Sequence, residues 1–301
     1  MNLLVSIIRL GRPKQWVKNI FVFTAQIFAG LALDFKATVA TLLAFFSFCF
    51  AASAIYFLND YRDVEEDRQH PTKKERPLAS GEVPLWIGPV GFLVLLLLAL
   101  GIPLVFLNSS TTMVVFFYIL LNIGYSMGLK HVVIIDVLVI ASGFVLRILA
   151  GAAALVVLPS AWLVLCGVTI SLFLGFTKRR AEVVLLGDRA QEHRKVLEDY
   201  SPAFLDQSIS IVTAATVVGY VLYTVDQRTV ELVGSRALIL SVPLVLYGIF
   251  RYLYLVYHAE SGGDPTRTVF TDVPLLITGA LWGILCMTII LFGNNFFEFL
   301  L

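Results

Sequence analysis

The sequence predicts an all-α, polytopic membrane protein, and three observations carry that prediction. Of 301 residues, 58% are hydrophobic and only 14% are charged, with a mean hydropathy of +0.87. A water-soluble domain of this length has no use for so much apolar sequence. The apolar residues gather into nine stretches close to the roughly 20 residues that a spanning helix needs, and Lys and Arg crowd onto alternate connecting segments.

The expected spans are 18–33, 36–58, 86–107, 112–129, 132–157, 160–177, 204–224, 237–257 and 269–292, the first and fourth being short. Ahead of the first, Arg12-Pro13-Lys14-Gln15-Trp16-Val17-Lys18-Asn19 sets a proline, three cations and an interfacial Trp at the membrane edge. The second span leads into a polar loop, 59–85, and the sixth into another, 178–203. In the first loop, Pro71 and Pro77 end any helix and force extended or turn geometry. In the second, Lys178 to about Glu198 has helical character and is expected to lie partly on the membrane surface. Ser201 then caps the seventh span, with Pro202 at its first helical position.

Orientation follows from the basic residues. With the N-terminus in the cytoplasm, only Lys36, Arg228 and Arg236 of the 22 fall outside, and Arg147 lies within the fifth span. The C-terminus is then external. The chain is read as one membrane domain over 1–301, with loops 59–85 and 178–203 forming a cytoplasmic cap over a shared cavity. No cleavable signal is expected, because the first apolar residues run into Arg9 and Arg12, the reverse of the usual order. Cys49, Cys166 and Cys286 are scattered through apolar spans and read as buried thiols. The net charge of +1 hides the polarisation; it does not argue against an anionic substrate, and no nucleic-acid partner is expected.

The chemistry concentrates in Asn59-Asp60-Tyr61-Arg62-Asp63-Val64-Glu65-Glu66-Asp67. If the helix of the second span continues, Asn59, Asp63 and Asp67 lie within an arc of about 80° on one face. An acidic face beside hydrocarbon calls for a cation, and Mg2+ suits such oxygen donors together with substrate phosphates. Asp188 and Glu192 form a second pair four residues apart. Around the two loops stand Lys73, Lys74 and Arg76, and Lys178, Arg179, Arg180, Arg194 and Lys195. Acids with bases are what a magnesium–polyphosphate site requires. Each basic residue taken singly also reads as a positive-inside anchor, and Asp188 and Glu192 as surface-helix partners of neighbouring arginines. An intramembrane Arg147 is either functional or structurally paired; Asp136, about 16 Å along the same helix, is too far to be that partner. Tyr56, Asn122 and Tyr125 lie near cytoplasmic span ends. The four histidines have no ligand spacing.

Asn59-Asp60-x-x-Asp63-x-x-x-Asp67 at the end of the second span resembles the signature of the UbiA superfamily of intramembrane prenyltransferases, and the acidic loop after the sixth span matches that family's second motif in place. The resemblance implies a helical bundle around a central cavity, with magnesium-bound diphosphate between the motifs. Most of the family carries Asp-x-x-x-Asp in the second motif. Here Asp188-x-x-x-Glu192 follows Lys178-Arg179-Arg180-Ala181-Glu182, leaving Glu182 and Asp199 as further candidate acids. Together with the Arg12–Asn19 and His70-Pro71-Thr72-Lys73 segments, this is similar to one branch, the decaprenyl-phosphate phosphoribosyltransferases.

That branch implies transfer of 5-phosphoribosyl from phosphoribosyl pyrophosphate to a polyprenyl phosphate in a bacterial cell membrane, with release of pyrophosphate, for cell-envelope polysaccharide. On this reading Asp60, Asp63 and Asp67 are catalytic, and Asn59, Asp63, Asp67, Asp188 and Glu192 are metal ligands. Lys14, Lys18, Tyr56, Arg62, Lys73, Arg76, Tyr125, Arg147, Lys178, Arg179, Arg180, Glu182 and Arg194 bind substrate. A homo-oligomer is compatible with the sequence. The competing expectations are an aromatic or quinone-precursor prenyltransferase on the same fold and a cation-binding membrane transporter.

Overall fold

The computed structural model describes residues 3–186, 195–258, 268 and 271–296. Among the described residues the only regular elements are helices, with no strand. Eight helices among them are long and apolar enough to cross a membrane; they correspond to the second to ninth expected spans, seven within four residues and the sixth running eight residues further. The chain divides into two compact units.

The first unit comprises residues 1–26, 31–127 and 146–158. It contains α1 (Leu3–Leu10), a 3-10 segment (Pro13–Phe23), most of α2 (Thr24–Phe28), α3 (Phe35–Arg62), α4 (Val64–Gln69), α5 (Ile87–Phe106) and α6 (Ser109–Met127). Asp34 caps α3, its carboxylate accepting from the Ala37 amide at 2.7 Å. The helix is lined by small buried residues, Ala44, Ser47, Ala51, Ala52, Ser53 and Ala54, which let its neighbours approach closely. Phe48, Ile55, Val115, Tyr118 and Ala150 form the core around it. On α5, Gly91 lies against the Phe57 ring so tightly that a Cβ would collide with it.

The first expected span, 18–33, is a correction: no continuous spanning helix forms there, so the described helices of spanning length number eight rather than nine. Eleven residues wind as a 3-10 helix and five as α. At ideal rises these extend about 30 Å, close to a hydrocarbon thickness with fewer residues than an α-helix needs. Tertiary contacts hold the tighter winding. Asn19 inside it accepts from Arg147 at 2.7 Å, and the Val22 carbonyl packs where a Cβ on Gly151 would stand.

The second unit comprises residues 27–30, 128–145 and 159–301. Its helices are the start of α7 (Ile135–Ala154), then α8 (Ala161–Leu186), α9 (Pro202–Val225), α10 (Gln227–Val233), α11 (Val242–His258) and α12 (Val273–Phe296). α7 serves both units, changing between Val145 and Leu146. Ser201 caps α9 as expected, accepting from the Phe204 amide at 3.1 Å with Pro202 at the first turn. Residues 178–186 differ in part from expectation. They are helical as expected, but they continue α8 without a break instead of starting after the span ends at 177. Their charges are met by carboxylates on neighbouring helices, so the span helix carries on past its apolar part.

Gly151→Ala should lower the thermal stability of the detergent-purified protein substantially, by about 1–3 kcal/mol, because the obstacle is backbone that cannot rotate aside. Gly279→Ala, which meets open space, should leave the same melting curve unchanged.

Candidate active site

The acidic motif occupies the end of α3, the turn at Asp63, and α4. Helical hydrogen bonding survives the turn. The Asp63 amide donates to the Asn59 carbonyl at 2.9 Å, and the Asp67 amide donates to the Asp63 carbonyl at 2.8 Å. Asn59, Asp63 and Asp67 are therefore strung along one side, as the spacing predicts. α4 then stops at Gln69, because the residue before Pro71 is driven to extended backbone, seen at His70 (ψ 137°).

Asp60 shares that side, since it precedes Asp67 by two turns. Both residues are almost fully buried. One guanidinium nitrogen joins them: Arg76 Nη1 donates to Asp67 Oδ2 at 2.7 Å and to Asp60 Oδ1 at 3.1 Å. A second guanidinium, that of Arg12, donates from Nη2 to the same Asp60 oxygen at 2.6 Å and lies 4.7 Å from the centre of the Tyr56 ring. Arg12 itself has left-handed backbone (φ 51°), a conformation that costs a non-glycine residue of order 1 kcal/mol or more. Its surroundings hold it there. Ser53 Oγ donates to the Gly11 carbonyl at 2.8 Å and accepts from Trp16 Nε1 at 3.0 Å.

Deeper in the same unit, Arg147 is 7% exposed. Its Nε donates to Asn19 Oδ1 at 2.7 Å, its Nη2 donates to Tyr118 Oη at 3.0 Å, and the guanidinium lies over the Tyr118 and Phe48 rings. Asn19 in turn donates to Cys49 Sγ at 3.2 Å. Of the remaining expected residues, Lys14, Arg62 and Lys73 are exposed, and Lys18, Tyr56 and Tyr125 are half-buried.

In the second unit the basic run ending α8 is engaged by acids. Arg179 is 1% exposed; its Nε donates to Asp136 Oδ2 at 2.7 Å and its Nη1 to Glu182 at 2.5 Å. Tyr200 Oη donates to the other Asp136 oxygen at 2.7 Å and accepts from the Ile134 amide at 2.7 Å. Burial, with the Asp136 bond adding to it, pushes the Tyr200 phenol well above its usual range and keeps the donated proton in place. Arg180 pairs with Asp206 at 2.5 Å and stacks over the Tyr257 ring, whose hydroxyl also donates to Asp206 at 2.8 Å. Lys178 sits 3.8 Å from Glu182. Asp188, Glu192 and Arg194 lie outside the described residues.

A family model described as the UbiA prenyltransferase family matches residues 20–273, most of the chain. The chain belongs to the UbiA prenyltransferase family. As a UbiA protein it is an integral-membrane transferase. It is 38% identical over 93% of its length to decaprenyl-phosphate phosphoribosyltransferase of Corynebacterium glutamicum, covering 85% of that protein. Its identity to the Mycolicibacterium smegmatis protein of that name is also 38%, over 93% of this chain and 91% of the relative. Among solved structures it resembles a UbiA homologue from Archaeoglobus fulgidus bound to DMAPP and Mg2+, with a TM-score of 0.68 at 18% identity, covering 95% of this chain and 99% of the other.

Within this UbiA protein, no three His, Cys, Asp or Glu side chains among the described residues form a ready-made metal cluster. The donors still suit magnesium, which takes one or two carboxylates and completes its shell with water and substrate phosphate. Asn59, Asp63 and Asp67 offer hard oxygen atoms along one helical side.

Sequence reasoning passed over several partners. Arg12 was visible only as one cation of the Arg12–Asn19 segment, and nothing local links it to Asp60, 48 residues away. Asp136 was an acid near the start of an apolar span, a signal in itself, yet its partners Arg179 and Tyr200 come from far along the chain.

Asp136→Leu should destabilise the protein by about 2–3 kcal/mol, since it removes the Nε partner of the buried Arg179 guanidinium and leaves Glu182 to balance that charge. Size-exclusion profiles after graded heating should show early loss of the monodisperse peak, and Tyr200→Phe a smaller shift in the same direction.

Proposed function

We propose that this protein transfers 5-phosphoribosyl from phosphoribosyl pyrophosphate to a polyprenyl phosphate, releasing pyrophosphate, at the cytoplasmic face of a bacterial cell membrane. The observation that carries the reading is the 38% identity, over 93% of the chain, to decaprenyl-phosphate phosphoribosyltransferases. The acidic side of α3 and α4, with Arg12 and Arg76 on it, is the chemistry such a donor needs. Phosphates require guanidinium and ammonium partners, and a leaving diphosphate requires a divalent cation.

Asn59, Asp63 and Asp67 are the described residues that would hold Mg2+, and the sequence adds Asp188 and Glu192. A UbiA homologue of the same fold is bound to DMAPP and Mg2+, which favours a divalent ion as the cofactor. When bound, the ion supplies Lewis-acid neutralisation of the departing pyrophosphate. The protein's own groups do the rest. Asp60 holds Arg12 in place as a donor to phosphate oxygens, and Arg76 stands beside it as a second donor. Lys14, Lys18, Arg62 and Lys73 supply further positive charge on the same unit, for the donor's 5-phosphate and the lipid phosphate. Tyr56 supports Arg12 through its ring face. Arg147, fixed by Asn19 and Tyr118, is a positive charge within the bundle.

The acceptor phosphate is already anionic near neutral pH, so the site has to position it rather than deprotonate it. Electrostatic preorganisation then accounts for most of the rate, and attack opposite the leaving group inverts configuration at ribose C1.

Membranes containing the protein, given polyprenyl phosphate and radiolabelled phosphoribosyl pyrophosphate, should form a labelled lipid and free pyrophosphate. No labelled lipid, with 4-hydroxybenzoate prenylated instead from a polyprenyl diphosphate, would overturn the assignment. Asp63→Asn should lower turnover at saturating magnesium by about a hundredfold or more, and chelation of divalent ions should stop the wild-type reaction. Wild-type turnover by the variant would remove Asp63 from the metal set.

A further inference from the structure

We propose that Arg76 is a resident counter-ion which exchanges with the metal: its guanidinium neutralises Asp67 while the site is empty, and moves onto the diphosphate when a divalent cation takes Asp67. The proposal rests on the reading of Asp67 as a metal ligand.

Its basis is how unequally the two buried acids are partnered. Asp60 Oδ1 is held by both Arg12, at 2.6 Å, and Arg76, at 3.1 Å. Asp67 is held by Arg76, through the same nitrogen, at 2.7 Å. Two carboxylates and two guanidiniums sum to no net charge, so the closed cluster has little attraction for a further cation. If Arg76 leaves, Asp60 keeps Arg12 and remains neutralised. Asp67 alone becomes a bare carboxylate, on the side shared with Asn59 and Asp63. The arrangement releases one acid and protects the other.

The geometry also allows the departure. The Arg76 side chain is 25% exposed, while the two carboxylates are 2% and 3% exposed, so the cation has an outlet that the acids lack. Its backbone is extended (φ −65°, ψ 142°) and constrained by Pro77, which leaves side-chain rotation as the available movement. A guanidinium leaving a carboxylate needs another oxyanion, and diphosphate oxygens accept the same fork of donors. A metal ion arriving alone must displace Arg76 with nothing to receive it. Arriving with diphosphate, it brings the receiver. Metal and diphosphate therefore bind synergistically, through Arg76.

The test is Mn2+ binding to the purified protein, followed by electron paramagnetic resonance, with and without inorganic pyrophosphate. In the wild type, pyrophosphate should tighten Mn2+ binding beyond its own affinity for the ion in solution. In Arg76→Gln, Mn2+ alone should bind about tenfold tighter than to the wild type, because removing the partner of a buried carboxylate leaves a charge that the metal then neutralises. The pyrophosphate effect should largely vanish. Arg76→Lys, which retains a charge without the fork, keeps the test available should the glutamine variant not fold, and should fall between the two. Unchanged or weaker Mn2+ binding by Arg76→Gln, at a site that Asp63→Asn abolishes in the wild type, would overturn the exchange while leaving the metal reading intact. A wild type that binds no Mn2+ even with pyrophosphate would overturn both.

Discussion

Charges at the ends of long apolar helices have to be neutralised by other charges, because hydrocarbon solvates none of them. That constraint organises both units. In the first, Arg12 and Arg76 close the acidic end of α3 and α4. In the second, consecutive arginines on α8 reach carboxylates on two different helices: Arg179 reaches Asp136 of α7, and Arg180 reaches Asp206 of α9. Arg251 of α11 and Asp272, which opens α12, make a third such tie at 2.8 Å. Buried ion pairs add little net stability compared with apolar residues of similar shape, but a lone member of one is severely unfavourable. What these pairs supply is geometry: each holds only if its helices are in register.

The same constraint separates two kinds of arginine that look alike in the chain. Arg179 is enclosed by Asp136 and Glu182 and hardly reaches solvent, so it acts on its surroundings by position. Arg76 retains a quarter of its side-chain exposure and bridges two acids with one nitrogen. Arg147 is a third case, a cation stabilised by the amide of Asn19, a phenol and two ring faces at the centre of the first unit. It ties α7 to the 3-10 segment and α6, which makes it part of the scaffold on which the acidic side is built.

Much of the architecture was legible from the chain. Eight of the nine apolar stretches became long helices, because length and hydropathy are local properties. The continued helix through Asn59, Asp63 and Asp67 was readable from spacing alone, and the Ser201–Pro202 start of α9 from capping chemistry. The first stretch, 18–33, misled: it is apolar enough, but its start belongs to a 3-10 helix pressed against Gly151 and the short α-helix that follows ends at Phe28. The Lys178–Leu186 segment misled for the opposite reason. Its charges suggested an exit from the span, yet partners on α7 and α9 absorb them.

By itself the sequence determined that this is an integral-membrane protein of the UbiA family with its acids and bases concentrated in the connecting segments. Periodicity, hydropathy and motif spacing act over a few residues and survive without a fold. Only the tertiary structure decided which charge meets which: Arg12 with Asp60, Arg76 shared between Asp60 and Asp67, Asp136 divided between Arg179 and Tyr200. Those pairings join residues from 9 to 64 positions apart. Their partners are chosen by helix packing, and coulombic attraction carries no record of sequence distance.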